Sequence, residues 1–363
     1  MSTRRIRRSR SSFPRPAPSA IAMHFATTLP SPTSTNPSSA AGACERPYMN
    51  IPTTPDTTMD TTTNQRIAEA LLKEAESFGT VEIRDGVWVM TKESWADWVE
   101  EGDSKKDLPA DASPFWFVTD DDYSRPINNS DDLAPELAKM EYSLLDAALY
   151  AHDDAVKALI EGGADLEACD RYGITPLMIT TVPAIKKMLC EGGALVDARD
   201  TVDGMTALHR AAERDDTESI QVLLDAGAQV DAQTNYGLTA LHYAVLKEEF
   251  ATDDFLDAAE RDDTKSIRVL LAGGAQVDAQ SCEGNTALMC AAVKDDTESI
   301  PVLLAAGADP TLVNRRGETA EYVAKGKAKD ILITERVERE RGILRQVVGL
   351  NDTEEPVQRS RRM

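Results

Sequence analysis

The sequence predicts a mainly α-helical protein, built as a solenoid of short helix pairs with β-turn fingers and preceded by a disordered N-terminus and a small α+β module. Three observations predict this class. From residue 173 onward, a block that begins with Thr two residues after a Gly recurs along the chain. Each block carries two apolar stripes at helical spacing. Only 5% of the 363 residues are aromatic, so one compact aromatic-rich core is not expected.

Residues 1–64 predict a disordered basic tail, because their Ser, Thr, Pro, Ala and Arg bury too little apolar surface to offset chain entropy. Residues 1–44 hold six Arg and no acidic residue, a composition typical of an organelle transit peptide. The basic run from Arg4 to Arg10 indicates nuclear import as another alternative. Five Cys without paired spacing indicate a reducing compartment, so the default location is cytoplasmic.

Residues 65–130 predict a small α+β unit with its own core. A helix capped by Asn64 and ended by Gly79 carries apolar residues at helical spacing. Alternating apolar residues then flank Asp85-Gly86, the preferred pair for a two-residue hairpin turn. We therefore expect a helix followed by a hairpin.

Residues 114–118 predict one more strand of this module, and the acidic run 120–122 is interpreted as solvated because no calcium-loop spacing follows it. The aromatic residues of the module are expected to fill its core, with a ligand-binding aromatic cage as the alternative. They include all the tryptophans of the chain: Trp88, Trp95, Trp98 and Trp116.

The repeats are predicted over residues 142–324. Their first helices are expected to start near residues 142, 175, 206, 239, 253, 286 and 319. The start at 253 is irregular, because residues 258–281 nearly duplicate 211–234 and leave little room after residue 239. We predict a three-helix unit or a bent helix over residues 239–263. The sequence of residues 325–348 predicts a capping helix with apolar residues Ile331, Leu332, Val337 and Leu344. Residues 349–363 are predicted to form a tail.

The period of 33 residues, the block T-[PA]-L-[HM] and the block L-L-x-x-G-A-x-V-x-A together resemble the ankyrin repeat family. The resemblance implies stacked helix pairs whose fingers and first helices line a concave binding surface. It also implies that His209 and His242 are structural and tie each helix start to the preceding loop. Asp215, Asp262 and Asp295 replace the usual Gly between helices, so we expect strained or differently capped turns there.

The repeat at Thr175 departs further from the family pattern. It is three residues shorter through its helices, with Pro183 where the turn between them is expected.

No catalytic, nucleotide-binding or metal-binding motif is present in the sequence. Cys282 and Cys290 lack a second pair, so buried thiols are expected rather than a zinc site. We therefore predict a non-enzymatic protein-protein interaction scaffold or adaptor without cofactor or metal. The alternative is an enzyme or small-ligand regulatory module in residues 65–141 whose target the repeats recruit. The net charge of -23 argues against nucleic acid, and the lack of a long apolar run argues against a membrane span.

The candidate partner-binding residues occupy finger tips and variable positions of the first helices. They are Arg171, Tyr172, Asp203, Arg210, Arg214, Asn235, Tyr236, Tyr243, Lys247, Glu283, Arg315 and Arg316. Tyr and Arg are the residue types that dominate binding hot spots, although the same residues could be ordinary solvated side chains. The repeats carry 14 basic and 33 acidic residues, so a basic or polar partner segment and salt-sensitive binding are expected.

Overall fold

A computed structural model describes residues 60–84, 86–92, 94, 113–119, 124–246 and 264–348. It confirms the predicted fold class: a mainly helical solenoid with one small sheet near the N-terminus. The chain divides into two compact units, residues 1–236 (unit 1) and 237–363 (unit 2).

Unit 1 begins with a helix, an antiparallel four-stranded sheet and a second helix. The elements are α1 (Thr61–Phe78), β1 (Thr80–Arg84), β2 (Val87–Thr91), β3 (Phe115–Thr119), β4 (Ser124–Ile127) and α2 (Ser130–Lys139), with sheet order β1-β2-β3-β4. The predicted hairpin is present, whereas β4 and α2 were not predicted. Helix α1 is capped by Asp60 rather than Asn64, because the Asp60 carboxylate accepts the Thr63 N–H at 2.6 Å.

The core of this module lies between the sheet and the two helices. Helix α1 packs against α2, β1 and β2. Ile67, Leu71, Ile83 and Leu133 are fully buried there. A separate cluster contains Met90, Trp116 and Val118 with the half-buried Trp88. Two of the tryptophans predicted to fill the core therefore pack together; Trp95 and Trp98, like residues 120–122, lie outside the described residues.

The module does not stand apart from the repeats. Helix α1 also packs against α4 (Asp153–Glu161), the second helix of the first repeat. The guanidinium of Arg84 binds the Asp146 carboxylate through Nη2 at 2.6 Å and Nε at 3.0 Å. Buried His152 contacts the Glu74 carboxylate at 3.0 Å and the Glu82 carbonyl at 2.8 Å. These polar contacts and the packing of α1 make the module an N-terminal cap on the first repeat.

The repeats of unit 1 contribute three helix pairs. Their helices are α3 (Leu144–Leu149), α4, α5 (Pro176–Ile179), α6 (Pro183–Glu191), α7 (Ala207–Glu213) and α8 (Thr217–Asp225). The first helices α3, α5 and α7 pack in series, and so do the second helices α4, α6 and α8. Contacts between neighbouring pairs in both layers are the defining feature of a solenoid.

Unit 2 contains the remaining helices described. They are α9 (Ala240–Leu246), α10 (Lys265–Ala272), α11 (Ala287–Lys294), α12 (Ser299–Ala305), α13 (Ala320–Val323) and α14 (Gly326–Val348). Helix α9 packs against both α10 and α11. Helices α9 and α10 therefore form a helix pair, and residues 247–263 connect them along the chain. Those residues, with the predicted start at 253 and most of the predicted three-helix unit, lie outside the described part of the chain.

The C-terminal helix α14 packs against α13 and α11. Leu332 is buried as its apolar spacing suggests, but Leu344 is 61% exposed. Leu344 therefore does not contribute apolar area to the capping contact, although Arg339 Nη2, further along α14 than Leu332, donates to the Ala308 carbonyl at 3.3 Å. Residues 349–363 lie outside the described residues.

The turns between paired helices adopt the left-handed conformation without glycine. Asp215 and Asp295 have φ angles of 56° and 59°. The following Asp caps the next helix in each case: Asp216 accepts the Ser219 N–H at 2.9 Å, and Asp296 accepts the Ser299 N–H at 2.9 Å. Asp295 itself accepts the Ala328 N–H of the C-terminal helix α14 at 2.7 Å. Asp residues tolerate this conformation better than most, which explains the substitution.

Ala151 offers a test of this backbone strain, because it is exposed and has φ 64° in the turn before α4. Ala151→Gly should raise the free energy of unfolding by about 0.5–1 kcal/mol, since Gly adopts this conformation without steric cost. Chemical denaturation measures the change. The control is Ala184→Gly, at an exposed position within α6. This variant should instead lower the free energy of unfolding by about 1 kcal/mol. Equal effects of both substitutions would contradict the strain argument.

Candidate partner-binding face

Three consecutive finger tips of unit 1 are joined through their backbones. The Thr201 N–H donates to the Tyr172 carbonyl at 2.9 Å, and the Asn235 N–H donates to the Asp203 carbonyl at 2.8 Å. The fingers meet so closely that a Cβ at Gly173 would lie 3.0 Å from the Thr201 nitrogen. The tips therefore form one continuous edge rather than separate loops.

Apolar side chains line this edge. Tyr172, Val202 and Tyr236, one from each tip, are 36%, 44% and 44% exposed, and we call these three residues the finger row. Burial and the nearby Asp203 carboxylate, to which its phenol is hydrogen-bonded, raise the pKa of Tyr236. That hydrogen bond fixes Tyr236 against the neighbouring finger, so the row is partly pre-organised.

The fingers direct their carboxylates inward. Asp170 Oδ1 accepts the N–H groups of Tyr172 and Ile174 at 2.8 and 3.0 Å. Asp200 Oδ1 accepts three N–H groups of its own finger, the first from Asp203 at 3.0 Å. Short polar side chains commonly hold turns in this way. Much of the negative charge of the fingers is therefore engaged by backbone donors.

Arginines accompany the row at the tips. The Arg171 guanidinium lies 4.7 Å from the centre of the Tyr172 ring, a cation–π contact that does not use its N–H donors. Exposed Arg199 lies beside the second tip, where a Cβ at Gly204 would be 2.6 Å from Arg199 Nη2 and from Asn235 Oδ1. Both guanidiniums thus stand next to finger-tip residues.

Helix α7 adds two further arginines. Arg210 Nη2 binds Asp200 Oδ2 at 2.7 Å, and both side chains are largely buried. Arg214 lies one turn further along and is exposed. Desolvation by the surrounding protein, and then the positive charge of Arg210, lower the pKa of Arg214, although its side chain still reaches solvent. The Arg210 contact with Asp200 joins helix α7 to the second finger, so α7 and the fingers share one surface.

Two of the residues predicted for the partner-binding face are buried and not accessible to a partner. Tyr243 is 0% exposed, and every residue of α9 is buried. Asp203 is also buried. The prediction that both are accessible was therefore wrong; Lys247 lies outside the described residues.

The repeat register contained a signal for Tyr243 that the sequence analysis missed. Four residues after each Thr, the repeats carry Ile179, Arg210, Tyr243 and Cys290, which are mostly apolar. A position that is mostly apolar in successive repeats is expected to face the interior.

The fingers of unit 2 repeat the same tip-to-tip link. The Arg315 N–H donates to the Glu283 carbonyl at 2.9 Å. Asn314 replaces the finger Asp, and its Oδ1 accepts the Arg316 N–H at 2.9 Å. Glu283, Arg315 and Arg316 are exposed at these tips.

His209 and His242, which occupy the same position in two repeats, bridge neighbouring repeats. His209 Nδ1 accepts the Thr206 N–H at 3.1 Å, and its Nε2 donates to the Ala232 carbonyl at 2.9 Å. His242 makes the equivalent link to the Asn285 carbonyl at 3.0 Å. Both carbonyls belong to the following finger, which corrects the expected tie to the preceding loop. Burial lowers the pKa of His242, so its ring is a neutral structural group.

A family model for ankyrin repeats, in three copies, matches residues 144–233, 180–252 and 255–333, which together exceed half of the chain. The chain belongs to the ankyrin repeat family. Ankyrin repeats are protein-protein interaction modules, and the observed stacking of helix pairs agrees with this membership.

Three similar proteins each match less than a third of this chain. An ankyrin repeat protein of Fowlpox virus is 33% identical over 108 residues, 28% of this chain and 32% of that protein. B-cell lymphoma 3 protein of Homo sapiens is 37% identical over 95 residues, 24% of this chain and 21% of that protein. A Danio rerio protein named as a palmitoyltransferase is 32% identical over 102 residues, 27% of this chain and 16% of that protein. The match thus spans a third or less of each relative.

Within the described residues, no three His, Cys, Asp or Glu side chains are grouped to hold a metal ion. Burial raises the pKa of the Cys290 thiol to about 12, and it also raises the pKa of Cys169 and Cys190, so these thiols are protonated at neutral pH. None of the described helices is long and apolar enough to cross a membrane.

A groove lies between α1 and α4, where the N-terminal cap meets the first repeat. It measures about 280 Å³ and is lined by charged side chains. Arg66 pairs with Glu161, and Lys73 pairs with Asp154 at 2.9 Å. These ion pairs neutralise each other across an open groove, which suits surface packing rather than binding of a small ligand.

The shortest ankyrin repeat carries a buried lysine in its core. Lys186 is 2% exposed and occupies the register position where the neighbouring repeats have Val156 and Ile220. Helix α5 is only four residues long, and Thr180 caps its C-terminus. The Thr180 carbonyl accepts a hydrogen bond from Lys186 Nζ. The aliphatic stem thus replaces an apolar core residue, and the amine satisfies the carbonyl at the end of the shortened helix.

Burial lowers the pKa of Lys186 from 10.5 to about 8, against the opposing effect of Asp216. Between these values the unfolded chain keeps a proton that the folded chain has lost, so stability rises with pH. Relative to Lys186→Met, the wild type should gain about 1 kcal/mol per pH unit from pH 8 towards pH 10. Urea denaturation at each pH measures this.

The exposed neighbour provides the control for this prediction. Lys187→Met should give the same pH dependence of stability as the wild type, because Lys187 is solvated in the folded chain. A pH profile of Lys186→Met parallel to that of the wild type would show that Lys186 does not lose its proton in the folded state.

Proposed function

We propose that the protein is a non-enzymatic scaffold or adaptor that binds a partner protein through the finger tips and first-helix residues of its ankyrin repeats. The observation that carries the proposal is the finger row of unit 1, where exposed Tyr172, Val202 and Tyr236 stand on three finger tips joined by backbone hydrogen bonds.

The row has the physical properties of a binding surface. Tyrosine offers a large apolar area with a polar end and loses little conformational entropy on binding. Because the tips are already linked, little further ordering is needed when a partner binds. Rigid exposed aromatic side chains of this kind commonly supply most of the binding energy at an interface.

The accessible members of the predicted set are the proposed contact residues. In unit 1 they are Arg171, Tyr172, Arg214, Asn235 and Tyr236, and in unit 2 they are Glu283, Arg315 and Arg316. Arg210 is proposed to position the second finger through Asp200 rather than to contact the partner with its full side chain.

The partner is proposed to present a basic or polar segment. The repeats carry 14 basic and 33 acidic residues, which favours such a partner at long range. Binding is then expected to depend on ionic strength, because exposed charges are screened within about 8 Å at physiological salt. The role of residues 65–141 is proposed to be that of a cap, since α1 packs on α4.

Truncation of the row tests the proposal. The full chain carrying Tyr172→Ala and Tyr236→Ala should lose its captured proteins from an extract of the cells that express it. Each truncation of a hot-spot Tyr costs about 1–2 kcal/mol, so the affinity of the double variant should fall by about 30-fold to 700-fold. Affinity capture with quantitative mass spectrometry measures the loss.

The matched control is Tyr322→Ala, because Tyr322 is 71% exposed on α13 and lies outside the finger row. Its captured set should equal that of the wild type. An unchanged set for the double variant would exclude the finger row as the binding surface. Turnover of any substrate by the purified chain would instead support an enzyme.

A further inference from the structure

We infer that the finger row of unit 1 binds an acidic peptide segment of its partner, whose carboxylates pair with Arg171, Arg199 and Arg214. This inference rests on the proposed function, because it assigns a chemistry to the same face. For unit 1 it replaces the basic segment, which was argued from the net charge of the repeats, by an acidic segment argued from the local charges of the face.

Three exposed arginines stand on the finger tips and on the neighbouring helix α7. Arg171, Arg199 and Arg214 are exposed and form no ion pair with any residue described in the structure. Guanidinium groups without a carboxylate partner bind carboxylates in a two-pronged geometry with charge-assisted hydrogen bonds. The face therefore offers three such sites to a ligand.

The acidic residues of the same fingers are engaged internally. Asp170 and Asp200 accept backbone N–H groups, and Asp200 also neutralises Arg210. Asp203 is buried and bonded to the Tyr236 phenol. An approaching carboxylate thus meets the exposed arginines rather than these carboxylates.

The large negative charge of the chain does not oppose this pairing at contact distance. Exposed charges further away than about 8 Å are screened at physiological salt, whereas a bound carboxylate lies within hydrogen-bond distance of its guanidinium. Local charge, not net charge, then decides which side chain is accepted.

The apolar residues of the row define the rest of the ligand. The first two fingers each carry an arginine and an apolar residue, Arg171 with Tyr172 and Arg199 with Val202, and Tyr236 follows on the third. A peptide that matches this edge carries acidic side chains with large apolar side chains between them. A purely acidic polymer lacks the apolar contacts, and a purely apolar peptide lacks the ionic ones.

Synthetic peptides and charge reversal test this inference on the full chain. Three fluorescent peptides share the same Leu positions and carry Glu, Gln or Lys at the other positions. Fluorescence anisotropy should show the Glu peptide binding about tenfold more tightly than the Gln peptide, because each carboxylate gains an ion pair. Arg199→Glu with Arg214→Glu should then weaken binding of the Glu peptide about tenfold or more.

The matched control reverses two other exposed charges of unit 1. Lys157→Glu with Lys187→Glu changes the net charge by the same amount as the double arginine reversal. Both lysines, however, lie on second helices away from the finger tips. Affinity for the Glu peptide should stay within about twofold of the wild type. Thermal melts followed by circular dichroism verify folding, and Arg199→Gln with Arg214→Gln serves as a milder variant.

Several results would overturn the inference. These are no binding of the Glu peptide to the wild type, equal binding of the Glu and Gln peptides, or equal weakening by the two charge-reversed variants. Failure of the proposed function is distinguishable from this. If the Tyr172 and Tyr236 truncations abolish protein capture while the Arg199 and Arg214 reversals leave it intact, the face binds a partner without acidic recognition.

Discussion

The structure depends on one constraint: a single helix pair cannot bury its own apolar stripe and must be covered by a neighbour. In unit 1 the first helices pack against one another in series and the second helices do likewise. His209 and His242 add a polar link from each first helix to the next finger. Because the contacts are local, the fold tolerates irregular repeats, including the short one in which Lys186 replaces an apolar core residue and satisfies the end of α5.

Periodicity in the sequence was sufficient to predict the fold class and the positions of most repeat helices, because local apolar spacing determines both. The contacts that turn residues 60–139 into a cap were not predictable in this way. His152 binds Glu74 and the Glu82 carbonyl, 78 and 70 residues earlier in the chain, and no local pattern encodes such a pairing. Tyr243 shows a different limit of the sequence. Its residue type alone indicates a binding position, whereas its position in the repeat indicates burial, and it is buried.

Composition and structure describe the charge of the face differently. The repeats are strongly acidic, but carboxylates at the finger bases hold turns, whereas Arg171, Arg199 and Arg214 are exposed. The net charge, which is a sum over residues, cannot show which charged groups are already hydrogen-bonded or paired within the fold. The sequence therefore indicated a binding face and the residue types on it, but not which of its charges remain available to a partner.

The N-terminal cap has a consequence for the behaviour of the chain in concentrated solution. A stack of helix pairs has an apolar end wherever its last pair is left uncovered, and two such ends adhere to each other. Helix α1 packs on α4, ion pairs from Arg66 to Glu161 and from Lys73 to Asp154 flank this contact, and Glu76 of α1 is exposed to solvent. The cap thus replaces an adhesive terminus with a hydrated one, which prevents end-to-end association at this end of the array.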